Sequence, residues 1–224
     1  MKKFVIIVAG GVGQRVGGKV FKQFLLLKEK PILLHTIERF IQAEPKINII
    51  LALKESLCDL WYETVEKYHF DFPVILSKGG KERFDTVKEA LTKVPNNALV
   101  AIHDSVRPLV SIKTIKNSFI FAKENDSAIP VTVPVESIRI EIDKTFMPFN
   151  RDFVRQIQTP QTFNSDEIKK AYQVEFSPNF TDDATVYEST LSKKVTFFEG
   201  NRENIKITYP QDLIIAEALF DFVQ

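Results

Sequence analysis

The sequence predicts an α/β protein, with a mostly parallel sheet covered by helices on both faces and one β-hairpin projecting from it. Three observations predict this. Short apolar runs alternate with longer segments of helical periodicity, the pattern left by right-handed crossovers onto a parallel sheet. Several of those runs are almost wholly apolar, as strands covered on both faces must be. Five of the eight glycines fall between Gly10 and Gly18, directly after the first apolar run.

The first strand is expected over residues 4–9, Phe-Val-Ile-Ile-Val-Ala. It runs into Gly10-Gly11-Val12-Gly13-Gln14-Arg15-Val16-Gly17-Gly18, with Lys22 just beyond. A loop with so little side-chain bulk lets the backbone approach a ligand and turn its N–H groups toward it. Arg15 and Lys22 add positive charge there, which suits a polyphosphate. The alternative is a tight strand-to-loop turn with no ligand. A Walker A loop is excluded, because its Gly-Lys-Ser/Thr ending is missing. A dinucleotide fingerprint fits poorly: Gly17 comes one residue late, and Leu53-Lys54 stand where an acidic residue should end the second strand.

Further strands are expected over residues 47–53, 74–77, 98–103, 127–133 and 194–199, and helices between them over 31–43, 56–68, 84–92 and 111–123. Ile32, Leu33, Thr36, Ile37 and Phe40 lie on one helical face. Pro31 suits a first turn and Ser111 a cap. Residues 135–149 change period. Ile138, Ile140 and Ile142 alternate with Arg139, Glu141 and Asp143, and Asp143-Lys144 makes a plausible turn. This reads as a projecting arm or as an extra edge pair; a long hairpin is marginal alone, so a second subunit is a reasonable cover. Helices follow over 165–174, 182–190 and 210–222. The layout is Rossmann-like.

At 224 residues, 44% apolar and 26% charged, the chain has the composition of a soluble globular protein with one core. Thirty basic residues against 29 acidic give +1, without the basic excess of a nucleic-acid binder. Cys58 is the sole cysteine, so an intramolecular disulfide is impossible, in keeping with a reducing cytoplasm. The first apolar run reads as a strand rather than a signal peptide, and no run is long enough for a membrane span.

Three more constellations carry candidate chemistry. Gly79-Gly80-Lys81-Glu82-Arg83-Phe84-Asp85-Thr86 leaves a strand and opens a helix, whose N-terminus can bind an anion; equally, Asp85 or Thr86 can be a cap. His103-Asp104-Ser105-Val106-Arg107 ends an apolar strand at the sheet edge where α/β proteins bind ligands; the bland alternative is a surface Asp–Arg pair. His103 reads as a core or supporting histidine. Late in the chain come Arg151, Gln158-Thr159-Pro160-Gln161, Thr181-Asp182-Asp183-Ala184 and Asn204-Ile205-Lys206-Ile207-Thr208. Thr181 or Asp182 looks like a cap, and Lys206 falls in an alternation that also suits exposed surface.

Taken in order, these motifs resemble the 2-C-methyl-D-erythritol 4-phosphate cytidylyltransferases of the non-mevalonate isoprenoid pathway. The resemblance spans Ala9-Gly10-Gly11 to Asn204-Ile205-Lys206-Ile207-Thr208-x-Pro210-x-Asp212-Leu213, almost the whole chain. It implies one nucleotidyltransferase domain over 1–224, with residues 135–156 as a β-arm that clasps a second copy in a homodimer. It implies catalytic Arg15 and Lys22 on the CTP phosphates. Ala9, Gly10, Gly11, Gly13, Gly80, Arg83, Asp85 and Thr86 match nucleotide-binding positions. Asp104, Arg107, Thr159, Lys206, Ser137 and Arg151 match positions that hold the polyol phosphate, Arg151 reaching into the neighbour's site. Mg²⁺ is implied as cofactor, carried mainly by the CTP phosphates with no named protein ligand. Phe21 stands where the family commonly has Pro, Ser105 where Ala is usual, and Glu136-Ser137 where Asp-Thr is usual. A ribitol-5-phosphate cytidylyltransferase and a non-catalytic nucleotide-binding module remain the alternatives.

Overall fold

The computed structural model describes residues 1–10 and 21–223. Strand β1 (Lys2–Val8) leads, followed by the short pair β2 (Leu26–Leu27) and β3 (Lys30–Pro31). Then come α1 (Ile32–Ala43), β4 (Asn48–Leu53), α2 (Cys58–Lys67), β5 (Val74–Lys78) and α3 (Arg83–Leu91). The next elements are β6 (Ala98–Asp104), α4 (Ile112–Asn125) and β7 (Ser127–Thr132). The arm is β8 (Ile138–Ile142) and β9 (Thr145–Phe149). The chain returns through β10 (Gln156–Ile157), β11 (Gln161–Asn164) and α5 (Ser165–Ala171). It ends with α6 (Asp183–Leu191), β12 (Phe197–Glu199) and α7 (Pro210–Leu219).

The main sheet has the order β10-β7-β11-β6-β1-β4-β5, with β12 parallel to β7. β1 is central and pairs in parallel with β4 and β6. Its side chains alternate between two cores. Val5 and Ile7 meet Leu33, Ile37, Phe40 and Phe119 from α1 and α4 on one face. Phe4 and Ile6 meet Phe84, Val87, Ile168 and Tyr187 from α3, α5 and α6 on the other. Truncating a fully buried ring such as Phe40 costs about 3–5 kcal/mol.

Strand β11 departs from the expected elements: it runs antiparallel between β6 and β7. Gln161 and Thr162 are buried there because each has a polar partner, Asp182 for the amide and Ser118 for the hydroxyl. Helices α1, α2 and α5 are also shorter than expected, and β12 is confined to three residues.

The hairpin stands as a separate two-stranded sheet. Asp143 and Lys144 have φ of 49° and 63°, the left-handed pair that a two-residue turn between twisted strands requires. A third, smaller core joins Leu27, Ile32, Leu109, Ile207, Ala216 and Val223 beneath α7. Among the described residues no helix is long and apolar enough to cross a membrane.

Candidate active site

Parallel pairing brings Val8 of β1 into register with Asp104 of β6, so both strands end at one edge. Two cavities adjoin there. The first, about 310 Å³, is lined by Ala9, Gly10, Lys22 and Thr86, and by Arg83, Asp104 and Lys206. The second, about 290 Å³, is lined by Arg107, Gln158, Thr159 and Gln161, and again by Arg83, Asp104 and Lys206. These three charged side chains are therefore the wall between the cavities.

Asp104 is 8% exposed and ringed by cations. Its carboxylate lies 3.1 Å from Lys206 Nζ, 3.2 Å from Arg107 Nε and 3.7 Å from Arg83 Nε. Burial alone would push this carboxyl up; Arg83, Lys206 and Arg107 together hold it well below the usual carboxylate range. It is not the weak surface pair of the bland alternative. Nor is Lys206 merely exposed surface: the backbone at 205–208 is irregular, and Ile207 enters the third core while Lys206 bonds Asp104.

Glycine is required at Gly80. A Cβ there would sit 2.3 Å from the Asp85 Cβ, in the turn that opens α3. The Gly80 N–H donates to Thr86 Oγ1 at 2.9 Å, and that hydroxyl donates to the Glu82 carbonyl at 3.0 Å. Asp85 accepts the Glu82 N–H at 3.1 Å in a capping box. Asp85 and Thr86 thus build the loop, and Thr86 still lines the first cavity. Across from it, Gln23 donates to the Ala9 carbonyl at 3.0 Å, which pins the Lys22–Phe24 turn to the end of β1. Lys22 Nζ then reaches the Thr208 carbonyl at 3.3 Å.

His103 is a fully buried supporting residue. Burial pushes its imidazole down to about 4, despite opposing contributions led by Asp104, so the ring is neutral. The Arg107 carbonyl can only accept, which assigns the N–H to Nε2 (3.1 Å) and leaves Nδ1 to accept from Thr159 Oγ1 at 2.9 Å. Thr159 Oγ1 accepts the Asp104 N–H at 3.2 Å. Asn204 donates to the Thr159 carbonyl at 2.8 Å, and Arg107 donates to the Asn204 carbonyl at 2.7 Å. The floor of the second cavity is thus cross-braced by hydrogen bonds.

Gly11, Gly13 and Arg15 lie outside the described residues. Ser137 and Arg151 are exposed at the base of the arm and line neither cavity; Arg151 donates to the Val135 carbonyl. Among the described residues no three carboxylate, histidine or cysteine side chains gather as a metal cage.

Comparison with known proteins fits this geometry. Residues 3–221 match the family model of IspD: 2-C-methyl-D-erythritol 4-phosphate cytidylyltransferase. A protein of that name from Bacteroides thetaiotaomicron is 42% identical over 219 residues, covering 98% of this chain and 100% of its own. One from Azobacteroides pseudotrichonymphae is 44% identical over 220 residues, covering 98% and 99%. The chain belongs to this family. Solved members share the fold: 4-diphosphocytidyl-2C-methyl-D-erythritol synthase from Anaerococcus prevotii superposes with a TM-score of 0.84 at 27% identity, over 98% of this chain and 96% of that one. The Francisella tularensis IspD gives 0.80 at 28% identity, over 97% and 99%.

One residue beside these cavities, Asp183, stood in a motif singled out from the sequence but was given no role there. Two consecutive carboxylates open α6, and only one can cap it. Asp182 does so, accepting the Thr185 N–H at 2.8 Å. The spare carboxylate was the available signal. Asp183 is fully buried, and it receives the Arg83 guanidinium and the Tyr172 hydroxyl.

Proposed function

We propose that this chain joins CTP to 2-C-methyl-D-erythritol 4-phosphate, giving 4-CDP-2-C-methyl-D-erythritol and pyrophosphate. The match of residues 3–221 to the family carries the reading. The two adjoining cavities support it, offering a place for each anion with Arg83, Lys206 and Asp104 in the wall between. A phosphate oxygen of the polyol phosphate attacks the α-phosphorus of CTP, and the bond to pyrophosphate breaks. The nucleophile is already an anion, so no general base is required. The barrier is repulsion between anions and charge growth at phosphorus, which positioning and fixed charge must offset.

On this reading the first cavity takes CTP. Arg15 and Lys22 act on its phosphates as catalytic groups. The backbone of Ala9, Gly10, Gly11, Gly13 and Gly80 receives the nucleotide, with Thr86, Asp85 and Arg83 shaping the loop around it. The second cavity takes the polyol phosphate through Arg107, Thr159 and Lys206, and Asp104 orients that lysine. Ser137 and Arg151 complete the site of a second copy, because the arm carries them away from the cavities of their own chain. The arm's uncovered Ile140, Ile142, Met147 and Phe149 supply the apolar surface for a homodimer. Residues 1–224 act as one nucleotidyltransferase domain, with 135–156 as the arm. The sole cysteine and the nucleotide substrate support a cytoplasmic location.

Mg²⁺ belongs with CTP. Asp104 is already engaged by Lys206, Arg107 and Arg83, so the described residues provide no protein cage and the phosphate oxygens would be its main ligands.

Pyrophosphate release across the four ribonucleoside triphosphates, each paired with methylerythritol phosphate and with ribitol 5-phosphate, tests the reading. Release is expected with CTP and methylerythritol phosphate above every other pair. Preference for ribitol phosphate, or no release with any pair, would overturn it.

A further inference from the structure

Arg83 stands at the meeting point of both cavities, held there by the protein's own side chains. Both terminal nitrogens are committed to one buried carboxylate: Nη1 donates to Asp183 Oδ1 at 2.8 Å and Nη2 to Oδ2 at 2.7 Å. Only the Nε edge is left toward Asp104, at 3.7 Å. The Tyr172 hydroxyl donates to Asp183 Oδ1 at 2.6 Å, and its ring stacks on Phe84 with centroids 4.7 Å apart. Burial and the neighbouring Asp183 push the Tyr172 phenol up, so it stays a donor. Asp183 is itself anchored. Asp182 caps α6 and accepts from Gln161 of β11 at 2.8 Å, and the other end of that amide accepts the Ala184 N–H at 2.8 Å. A fork of two parallel bonds fixes the plane of a guanidinium that would otherwise sample many rotamers.

We propose that Asp183, braced by Tyr172, is a positioning residue for the transfer reaction, holding Arg83 as a fixed cation in the wall between the two substrates. This rests on the function proposed above and adds a residue to it. Asp183 lines neither cavity and touches no substrate; it acts through Arg83. A carboxylate that served folding alone could form the same fork; only a catalytic readout on folded variants separates the two roles.

The test is a double-mutant cycle on the purified chain, reading kcat/KM for CTP together with the melting temperature. Asp183→Asn should lower kcat/KM by about a hundredfold, the cost of a small misplacement at a reacting centre. Tyr172→Phe, which removes one bond to a charged acceptor, should lower it by about tenfold. Arg83→Gln/Asp183→Asn should be no worse than Arg83→Gln alone, because Asp183 has nothing left to position. If Asp183→Asn does not fold, Tyr172→Phe and the neutral double variant carry the test. Folded variants with wild-type kcat/KM, or losses that multiply in the double variant, would overturn the proposal. A wild type that releases no pyrophosphate would overturn the function and this role together; an active wild type with multiplying losses overturns this role alone.

Discussion

His103 shows how a buried neutral side chain leaves a pH signature. Its folded value of about 4 lies below the ordinary 6.5, so between those values the unfolded chain binds the proton and the folded one does not. Stability is therefore intact above about pH 6.5 and lost as the pH falls toward 4, by about 3 kcal/mol in all. His35, lowered by burial as well, adds in the same direction. Urea unfolding from about pH 7 down to about pH 4.5 should show a falling stability whose slope is shallower in His103→Gln; equal slopes would contradict the assignment. Lys22 belongs to the same scale. Its recorded partner among the described residues is a backbone carbonyl, so its charge remains uncompensated by that contact. Lys22→Ala should keep the fold and lower kcat by about two to three powers of ten, as loss of one donor to a developing charge does; near-normal turnover at saturating CTP would remove it from the catalytic group. What sequence could read here was residue type at a sheet edge. It could not read that Lys206, though exposed, pairs with Asp104, because alternation assumes a strand and the backbone there forms none.

The arm is the element whose behaviour is easiest to change. Ile138 faces Phe149 and Ile140 faces Met147 across the ladder, so one face of the hairpin is apolar up to the turn, where Ile142 faces Thr145. Two strands alone are marginal in water, and this face has no cover within the described chain beyond partial burial of Ile138. The purified chain should sediment as a dimer, and Ile140→Lys should convert it to a monomer and reduce turnover along with it. A monomeric wild type, or a fully dimeric and active variant, would contradict the proposed assembly. The hairpin and its Asp143-Lys144 turn were legible because period two and turn chemistry are local signals. Strand β11 was not. Its Gln161 and Thr162 look like surface residues to a periodicity test, and only their distant partners Asp182 and Ser118 make burial tolerable. Asp183 was hidden for the same reason: a second acidic residue in a helix's first turn normally faces water, and here Arg83 lies 100 residues away in the chain.

At the scale of the whole molecule, the central parallel strands were the most legible feature, since their nearly continuous apolar character follows from being covered on both faces. That layout delivers the ends of β1 and β6 to one edge, and the antiparallel β10–β11 return brings Gln158 and Thr159 up beside them. Two cavities with a shared charged wall are the product of both halves of the chain, which is why no single motif could have revealed them. The proposed reaction depends on that partition. A crystal structure of this chain with methylerythritol phosphate and a CTP analogue bearing a methylene between its α- and β-phosphorus tests it most directly. The triphosphate should lie beside Gly10 and Lys22 and the polyol phosphate beside Thr159 and Arg107, with the attacking oxygen facing the α-phosphorus at Arg83 and Lys206. Both ligands in one cavity, or a nucleotide bound away from Lys22, would contradict it.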